Sequence, residues 1–261
     1  IPYKKTVMPF CRELSPAAAR IGSVNTIVRR PDGSLWGHNT DYDGFSYLLR
    51  SAGALVKGKK VLVLGTGGAS LTVRAVLEDL GAGEIVSISR SGPDNYRNLD
   101  RHADAQLIVN ATPVGMYPNT GISPVDLSLF PKLEGVFDLI YNPAKTQLLL
   151  DGERRGLLWA NGLGMLVAQA KAAAECFLGT EIADGRVEEI TREMEKQTRN
   201  LLLIGMPGCG KTRIGQLLAQ RTGRPFVDGD RELEVRSGMP IPVFFSRYGE
   251  AAFRDLETDA A

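Results

Sequence analysis

The stretch Lys60-Val61-Leu62-Val63-Leu64-Gly65-Thr66-Gly67-Gly68 constrains this chain more than any other. Four apolar residues in a row read as a strand buried on both faces, which calls for a parallel sheet covered by helices. The glycines then turn the chain sharply, and Ala69–Leu80 carries a helical pattern. In such a turn the first glycine permits the tight bend and the second lets backbone approach a pyrophosphate. The helix N-terminus stabilises that anion with its unpaired N–H groups. A merely structural turn is the competing reading; the strand before and the helix after favour a dinucleotide.

The end of the next strand bears on which dinucleotide. An Asp or Glu there would hold a ribose 2′-hydroxyl. The chain has Ser89-Arg90-Ser91 instead. A guanidinium flanked by hydroxyls suits a 2′-phosphate, because it donates a fork of hydrogen bonds to phosphate oxygens. A solvated arginine at a strand end is the alternative, and joined to the glycine turn the reading is NADP(H).

Further strands are expected at residues 21–30, 84–89, 107–110 and 135–140, with a turn at Pro31-Asp32-Gly33-Ser34. Phe45, Leu48 and Leu49 give a helix from Asp43 to Gly53, and Leu163–Leu178 forms an Ala-rich helix. Strands alternating with helices make the fold class α/β, a Rossmann-type doubly wound parallel sheet. The 261 residues suffice for one large domain or two ordinary ones. Lys and Arg number 31 against 30 Asp and Glu, so no basic excess exists to neutralise nucleic-acid phosphates. No run approaches the ~18 apolar residues of a membrane span, and the first residues have no signal-peptide pattern. A cytoplasmic protein acting on a small molecule is therefore expected, with a homodimer left open. Cys11, Cys176 and Cys209 have no metal-ligand or disulfide spacing, and only His38 and His102 could join them.

A second glycine loop lies far downstream. Gly205-Met206-Pro207-Gly208-Cys209-Gly210-Lys211-Thr212 fits G-x-x-x-x-G-K-[ST], after the apolar run Asn200–Ile204, read as a strand, and before a helix over Arg213–Gln220. In this loop the N–H groups of Gly208, Cys209 and Gly210 cradle phosphates, Lys211 reaches the terminal ones, and the Thr212 hydroxyl ligates Mg²⁺. The nucleotide implied is MgATP. Between the two loops, Gly179–Arg199 is charged and weakly apolar, and reads as a linker with helical character.

Residues 1–178 resemble the shikimate dehydrogenase family. Ile1-Pro2-Tyr3-Lys4 is similar to the end of its V-T-x-P-x-K segment, and Gly22-Ser23-Val24-Asn25-Thr26 to its G-A-V-N-T strand. Gly37 to Gly44 matches G-x-N-T-D-x-x-G, and Asn110 to Met116 matches N-A-T-P-x-G-M. Asp138 to Pro143 matches D-x-x-Y-x-P, and Gly162 to Gln169 matches G-x-x-M-L-V-x-Q. The resemblance implies NADPH-dependent reduction of 3-dehydroshikimate to shikimate, a step of chorismate and aromatic amino acid biosynthesis. It makes Lys4 the catalytic proton donor and acceptor, with Asp41 as its partner at the substrate. It puts Asn25, Tyr141 and Gln169 on the substrate's hydroxyls or carboxylate. Gly65, Thr66, Gly67, Gly68 and Ala69 would hold the pyrophosphate, and Arg90, with Ser89 and Ser91, the 2′-phosphate. Leu139, Gly162 and Met165 would line the nicotinamide.

Asp94 stands where that family carries a second arginine, and the family's N-terminal segment, with its S-x-S carboxylate grip, is not among these residues. A quinate or shikimate dehydrogenase using NAD, or a nucleotide-binding fragment without turnover, are the alternative readings. The C-terminal part resembles shikimate kinase: Asp228-Gly229-Asp230 is similar to its D-x-D motif and Phe253-Arg254-Asp255 to its F-R-x motif. The resemblance implies Asp228 at the magnesium site and Asp230 and Arg254 on shikimate. Only the first part of that family is present, so no kinase activity is expected. The expected divisions are 1–42, remainder of the substrate domain; 43–160, the NADP-binding domain; 161–180, a returning helix; 181–198, a linker; and 199–261, a partial P-loop domain.

Overall fold

The computed structural model describes residues 3–206 and 208–260, the side chain of Ala260 excepted. Ile1 and Pro2 of the first motif and Pro207 of the second glycine loop lie outside the described residues. The chain divides into two units, residues 1–198 and 199–261.

The first unit begins with a small sheet. Strand β1 (Glu13–Leu14) is followed by helix α1 (Pro16–Ile21), β2 (Thr26–Arg29) and β3 (Leu35–His38), in the order β1-β3-β2. Residues 21–25 are not strand, contrary to the sequence expectation. Ser15 Oγ accepts the Ala18 N–H (3.1 Å), Pro16 starts the helix, and Gly22 ends it in the left-handed region at φ 70°. Those cap and stop signals put Ile21 and Gly22 at a helix end, so β2 starts only at Thr26.

Helix α2 (Asp41–Ser51) leads into β4 (Lys60–Leu64), α3 (Gly68–Asp79), β5 (Glu84–Ile88), β6 (Leu107–Asn110) and β7 (Gly135–Asp138). Helix α4 (Gln147–Arg154), β8 (Leu158–Ala160) and α5 (Leu163–Leu178) complete the sequence of elements. The five strands pair in parallel in the order β5-β4-β6-β7-β8. Order reverses beside β4, which leaves a crevice beyond the carboxyl ends of β4 and β6. Leu62 and Leu64 face one apolar layer with Ile108, Val136, Phe130 and Leu148. Val61 and Val63 face the other, with Phe45, Leu49, Val73 and Phe137. A strand covered on both faces has no polar alternation, which is why 61–64 is a pure apolar run.

The segment expected as a linker holds helix α6 (Gly185–Thr198). Its Val187 is buried against Tyr47, Val167 and Ala168, so the helix packs on α5 instead of running free. Met194, two turns further on, packs against the same cluster, which gives the charged helix a narrow apolar stripe while its other faces stay wet.

The second unit holds α7 (Lys211–Thr222), α8 (Gly229–Ser237) and α9 (Ile241–Ala260), the last broken at Gly249. The strand expected at 200–204 does not form. Leu202 and Ile204 are each 84% exposed, and among the described residues of this unit no strand lies alongside to complete a ladder. An apolar run alone cannot satisfy its own backbone N–H and C=O groups; it needs a partner strand. What packing exists is local. Phe226 lies over Gly215 of α7, where any Cβ would collide with its ring, and Phe244, Phe245 and Phe253 cluster on α9.

Candidate active site

The residues expected at the site come from several segments of the first unit. Lys4 precedes β1, and Asp41 is the first residue of α2, where a carboxylate also favours the helix dipole. Lys4 Nζ donates to Asp41 Oδ2 at 2.6 Å across 37 residues of sequence, with side chains 33% and 22% exposed. Both groups are thus reachable yet partly shielded, which strengthens their attraction over that of a fully solvated pair.

The seat of Asp41 is built from side-chain amides. Asn39 is fully buried; its Nδ2 donates to Ser23 Oγ (2.8 Å), and its Oδ1 accepts the Asp41 N–H (3.1 Å). Asn25 Oδ1 accepts the Thr40 N–H at 2.9 Å and the Thr40 hydroxyl at 3.2 Å. The same hydroxyl lies 3.4 Å from Gln169 Oε1 on α5. Asn25, Asp41 and Gln169, expected at the substrate, therefore gather around Thr40, which the sequence reading left without a role. His38 adds a further brace, its Nδ1 at 2.6 Å from Ser15 Oγ and its Nε2 at 2.8 Å from Asp43 Oδ2. Asn39, Thr40 and His38 all sit inside a quoted motif, and that was the signal available for them.

Helices α2 and α5 cross closely enough that a Cβ at Gly44 would stand 2.6 Å from the Met165 carbonyl oxygen. At Gly162, which precedes α5, a Cβ would stand 2.6 Å from the Leu139 carbonyl carbon. Met165 thus packs one turn along α2 from Asp41, and Leu139 against the residue that opens α5. Tyr141 lies just beyond, half exposed, with its hydroxyl unbonded among the described residues.

Beneath Leu139 lies a buried polar network. Asp138 Oδ1 accepts from Ile140 N–H (3.0 Å) and Asn110 Nδ2 (3.0 Å), and its Oδ2 accepts from the Thr146 hydroxyl (2.7 Å). Burial pushes the Asp138 carboxyl above the usual carboxylate range, and these three hydrogen bonds oppose the shift. Asn110 also accepts from the Thr112 hydroxyl at 2.6 Å, while its bond to Asp138 ties the ends of β6 and β7 together.

The glycine turn at β4 has the shape the sequence implied. Gly65 takes φ 100°, and a Cβ there would meet Thr112 Cγ2 at 2.9 Å, so only glycine fits. A Cβ at Gly67 or Gly68 would meet nothing within 4 Å, leaving room above the start of α3 for an anion to approach the backbone. At the end of β5, Arg90 is exposed and, among the described residues, makes no ion pair or hydrogen bond. Ser89 Oγ, by contrast, is engaged by the Gly92 N–H at 2.7 Å, and Ser91 is exposed.

In the second unit Lys211 Nζ bonds back to the Gly205 and Met206 carbonyls, at 2.7 and 2.9 Å. Gly208 and Gly210 take positive φ, and a Cβ at either would meet nothing within 4 Å. The Thr212 hydroxyl lies 3.4 Å from Asp228 Oδ2, while Asp228 Oδ1 caps α8 through the Asp230 N–H. Cys209 and Asp230 are exposed. Arg254 pairs with Glu257 (2.6 Å) and Glu250 (3.3 Å) on its own helix, and no described contact joins it to Asp230. Among the described residues no group of three or more His, Cys, Asp or Glu side chains is placed to hold a metal ion. No helix among them is long and apolar enough to cross a membrane.

A doubly wound parallel sheet with a glycine turn at its switch point, in one unit with a Lys–Asp pair at the start of α2, defines an oxidoreductase of the dinucleotide-dependent class. Comparison with known proteins narrows the class. A shikimate dehydrogenase (NADP⁺) of Clostridium perfringens is 36% identical over 208 residues, 75% of this chain and 76% of that protein. The chorismate mutase/shikimate 5-dehydrogenase fusion of Clostridium acetobutylicum superimposes with a TM-score of 0.72 at 36% identity, covering 77% of each chain. Shikimate 5-dehydrogenase of Thermus thermophilus, solved with NADP(H) and shikimate, gives 0.64 at 33% identity over 74% of this chain and 76% of that one. The chain belongs to the shikimate dehydrogenase family. Residues 207–261 match the shikimate kinase family.

Proposed function

We propose that this chain reduces 3-dehydroshikimate to shikimate with NADPH, and that Lys4 and Asp41 carry its proton transfer. The observation that carries the reading is the 2.6 Å, partly shielded Lys4–Asp41 contact in a member of this family. The open backbone at Gly67 and Gly68 and the unpaired Arg90 fit the cofactor's phosphates. NADPH, when bound, supplies the hydride. The chain supplies the rest.

A ketone reduced at neutral pH needs a proton on its oxygen as the negative charge develops there. Lys4 Nζ donates that proton, and Asp41 holds the ammonium in place and accepts from a neighbouring substrate hydroxyl. In the reverse direction Lys4 takes the proton back. Asn25, Tyr141 and Gln169 orient the polyhydroxylated ring, Asn25 being held through its Oδ1 by Thr40. Leu139 and Met165 form an apolar wall that excludes water from the reacting face. Phosphates bind at the Gly65–Ala69 turn and at Arg90.

The test follows NADPH absorbance with 3-dehydroshikimate. Lys4→Ala is expected to lower kcat by ~10²–10⁴-fold while leaving NADPH affinity unchanged. Turnover equal to that of the unsubstituted protein would remove Lys4 from the mechanism.

A further inference from the structure

The turn that follows β5 holds a carboxylate that sequence spacing hides. Ser89 N–H donates to the Asp94 carbonyl at 3.1 Å, and Ser89 pairs with Asn95 in an isolated bridge. Asp94 therefore lies against the strand end that carries Arg90, although three residues separate them. The turn between is tightly pinned. Gly92 N–H donates to Ser89 Oγ (2.7 Å), Asn95 Nδ2 to the Gly92 carbonyl (2.9 Å), and Asn98 Nδ2 to the Pro93 carbonyl (2.8 Å).

A carboxylate at this corner is the device by which doubly wound folds hold a ribose 2′-hydroxyl and reject a 2′-phosphate. An arginine at the corner does the reverse. This turn carries both, yet Arg90 and Asp94 make no ion pair with each other. The reason lies at His102, in the single helical turn Leu99–His102. Its Nε2 is 2.9 Å from Asp94 Oδ1, and its side chain is only 10% exposed. Its Nδ1 is buried with no partner. The ring donates through Nε2, since a proton on Nδ1 would find no acceptor. One imidazole thus fixes which way the Asp94 carboxylate points.

We propose that His102 is a positioning residue for cofactor choice: by holding the Asp94 carboxylate back, it leaves Arg90 free for a 2′-phosphate. The inference rests on the NADPH reading above. With the hydrogen bond gone, Asp94 can swing to the ribose corner, where it repels a phosphate dianion and competes for Arg90. The loss falls on NADPH alone, because NADH carries no charge there.

The test measures dissociation constants for NADPH and NADH by titration calorimetry, with no substrate present. His102→Ala is expected to weaken NADPH binding about tenfold, the scale of one exposed like-charge contact, and to leave NADH unchanged or tighter, since its 2′-hydroxyl can donate to the freed carboxylate. Asp94→Asn added to His102→Ala should restore NADPH affinity, and His102→Gln, which keeps a side-chain N–H donor, should retain it. Asp94→Glu reads the same quantity without disturbing the buried ring: its longer carboxylate should also weaken NADPH selectively. Equal losses for both cofactors, no change in either, or no restoration in the double variant would overturn the proposal. An unsubstituted protein that binds neither cofactor would overturn the NADPH reading itself, and that outcome is distinct from a wild-type preference that the variants fail to move.

Discussion

Gly162→Ala offers a stringent test of the crevice, because the backbone there is ordinary and only space is at issue. Gly162 has φ −73° and ψ −2°, values alanine adopts freely, so no conformational strain enters. A Cβ would nevertheless stand 2.6 Å from the Leu139 carbonyl carbon, and nearer still to its oxygen. Ordinary contact begins at 3.4 Å, so the end of β7 and the start of α5 have to part by at least about 0.8 Å. Neither side yields cheaply. Leu139 N–H is bonded to the Asn110 carbonyl (3.1 Å), and Gly162 N–H to the Ile140 carbonyl (3.0 Å). Overpacking against such backbone costs roughly 1–3 kcal/mol of stability. The catalytic effect is larger in proportion, since a displacement of about 1 Å at a reacting face costs on the order of 100-fold in rate. The expected outcome is kcat down about 100-fold, with NADPH affinity changed far less because the turn proposed to hold its phosphates is at β4 and not at α5. Steady-state kinetics and calorimetry read both quantities, and a melting curve reads the stability loss. Full turnover with an unshifted melting temperature would refute the assignment of Leu139 and Gly162 to the reacting face.

Two further outcomes follow from named groups. Burial raises the Asp138 carboxyl, so the folded state binds its proton more readily than the unfolded chain does, and stability falls as pH rises out of the usual carboxylate range through the folded value. Asp138→Asn should flatten that slope in urea unfolding; an unchanged slope would show that other groups set it. In the second unit, purified protein with MgATP and shikimate should release no ADP above background, because Lys211 is turned onto its own loop carbonyls and no sheet supports the loop among the described residues. Coupled-assay turnover would reverse that reading.

Local signals carried some elements to within a residue or two. The run at 60–64, the helix over 163–178 and the strand at 107–110 were legible because burial on two faces, or a 3.6-residue period, is written into neighbouring positions. The misreadings have two sources, one local and one not. At 21–25 a cap and a stop glycine outweighed β-branched residues, and at 200–204 an apolar run found no strand to pair with. Pairing is a long-range property that no window of sequence contains.

The candidate site divides the same way. The two glycine turns, Arg90 at its strand end, and the order of the motifs follow from the chain alone, because backbone freedom and residue chemistry are local. Only the tertiary structure brings Lys4 to Asp41 across 37 residues and Thr40 to Gln169 across 129. It alone sets the Asp138 carboxyl in a dry network and turns Asp94 toward His102. Each of these depends on which surfaces are buried against which, and burial is decided by the whole fold at once.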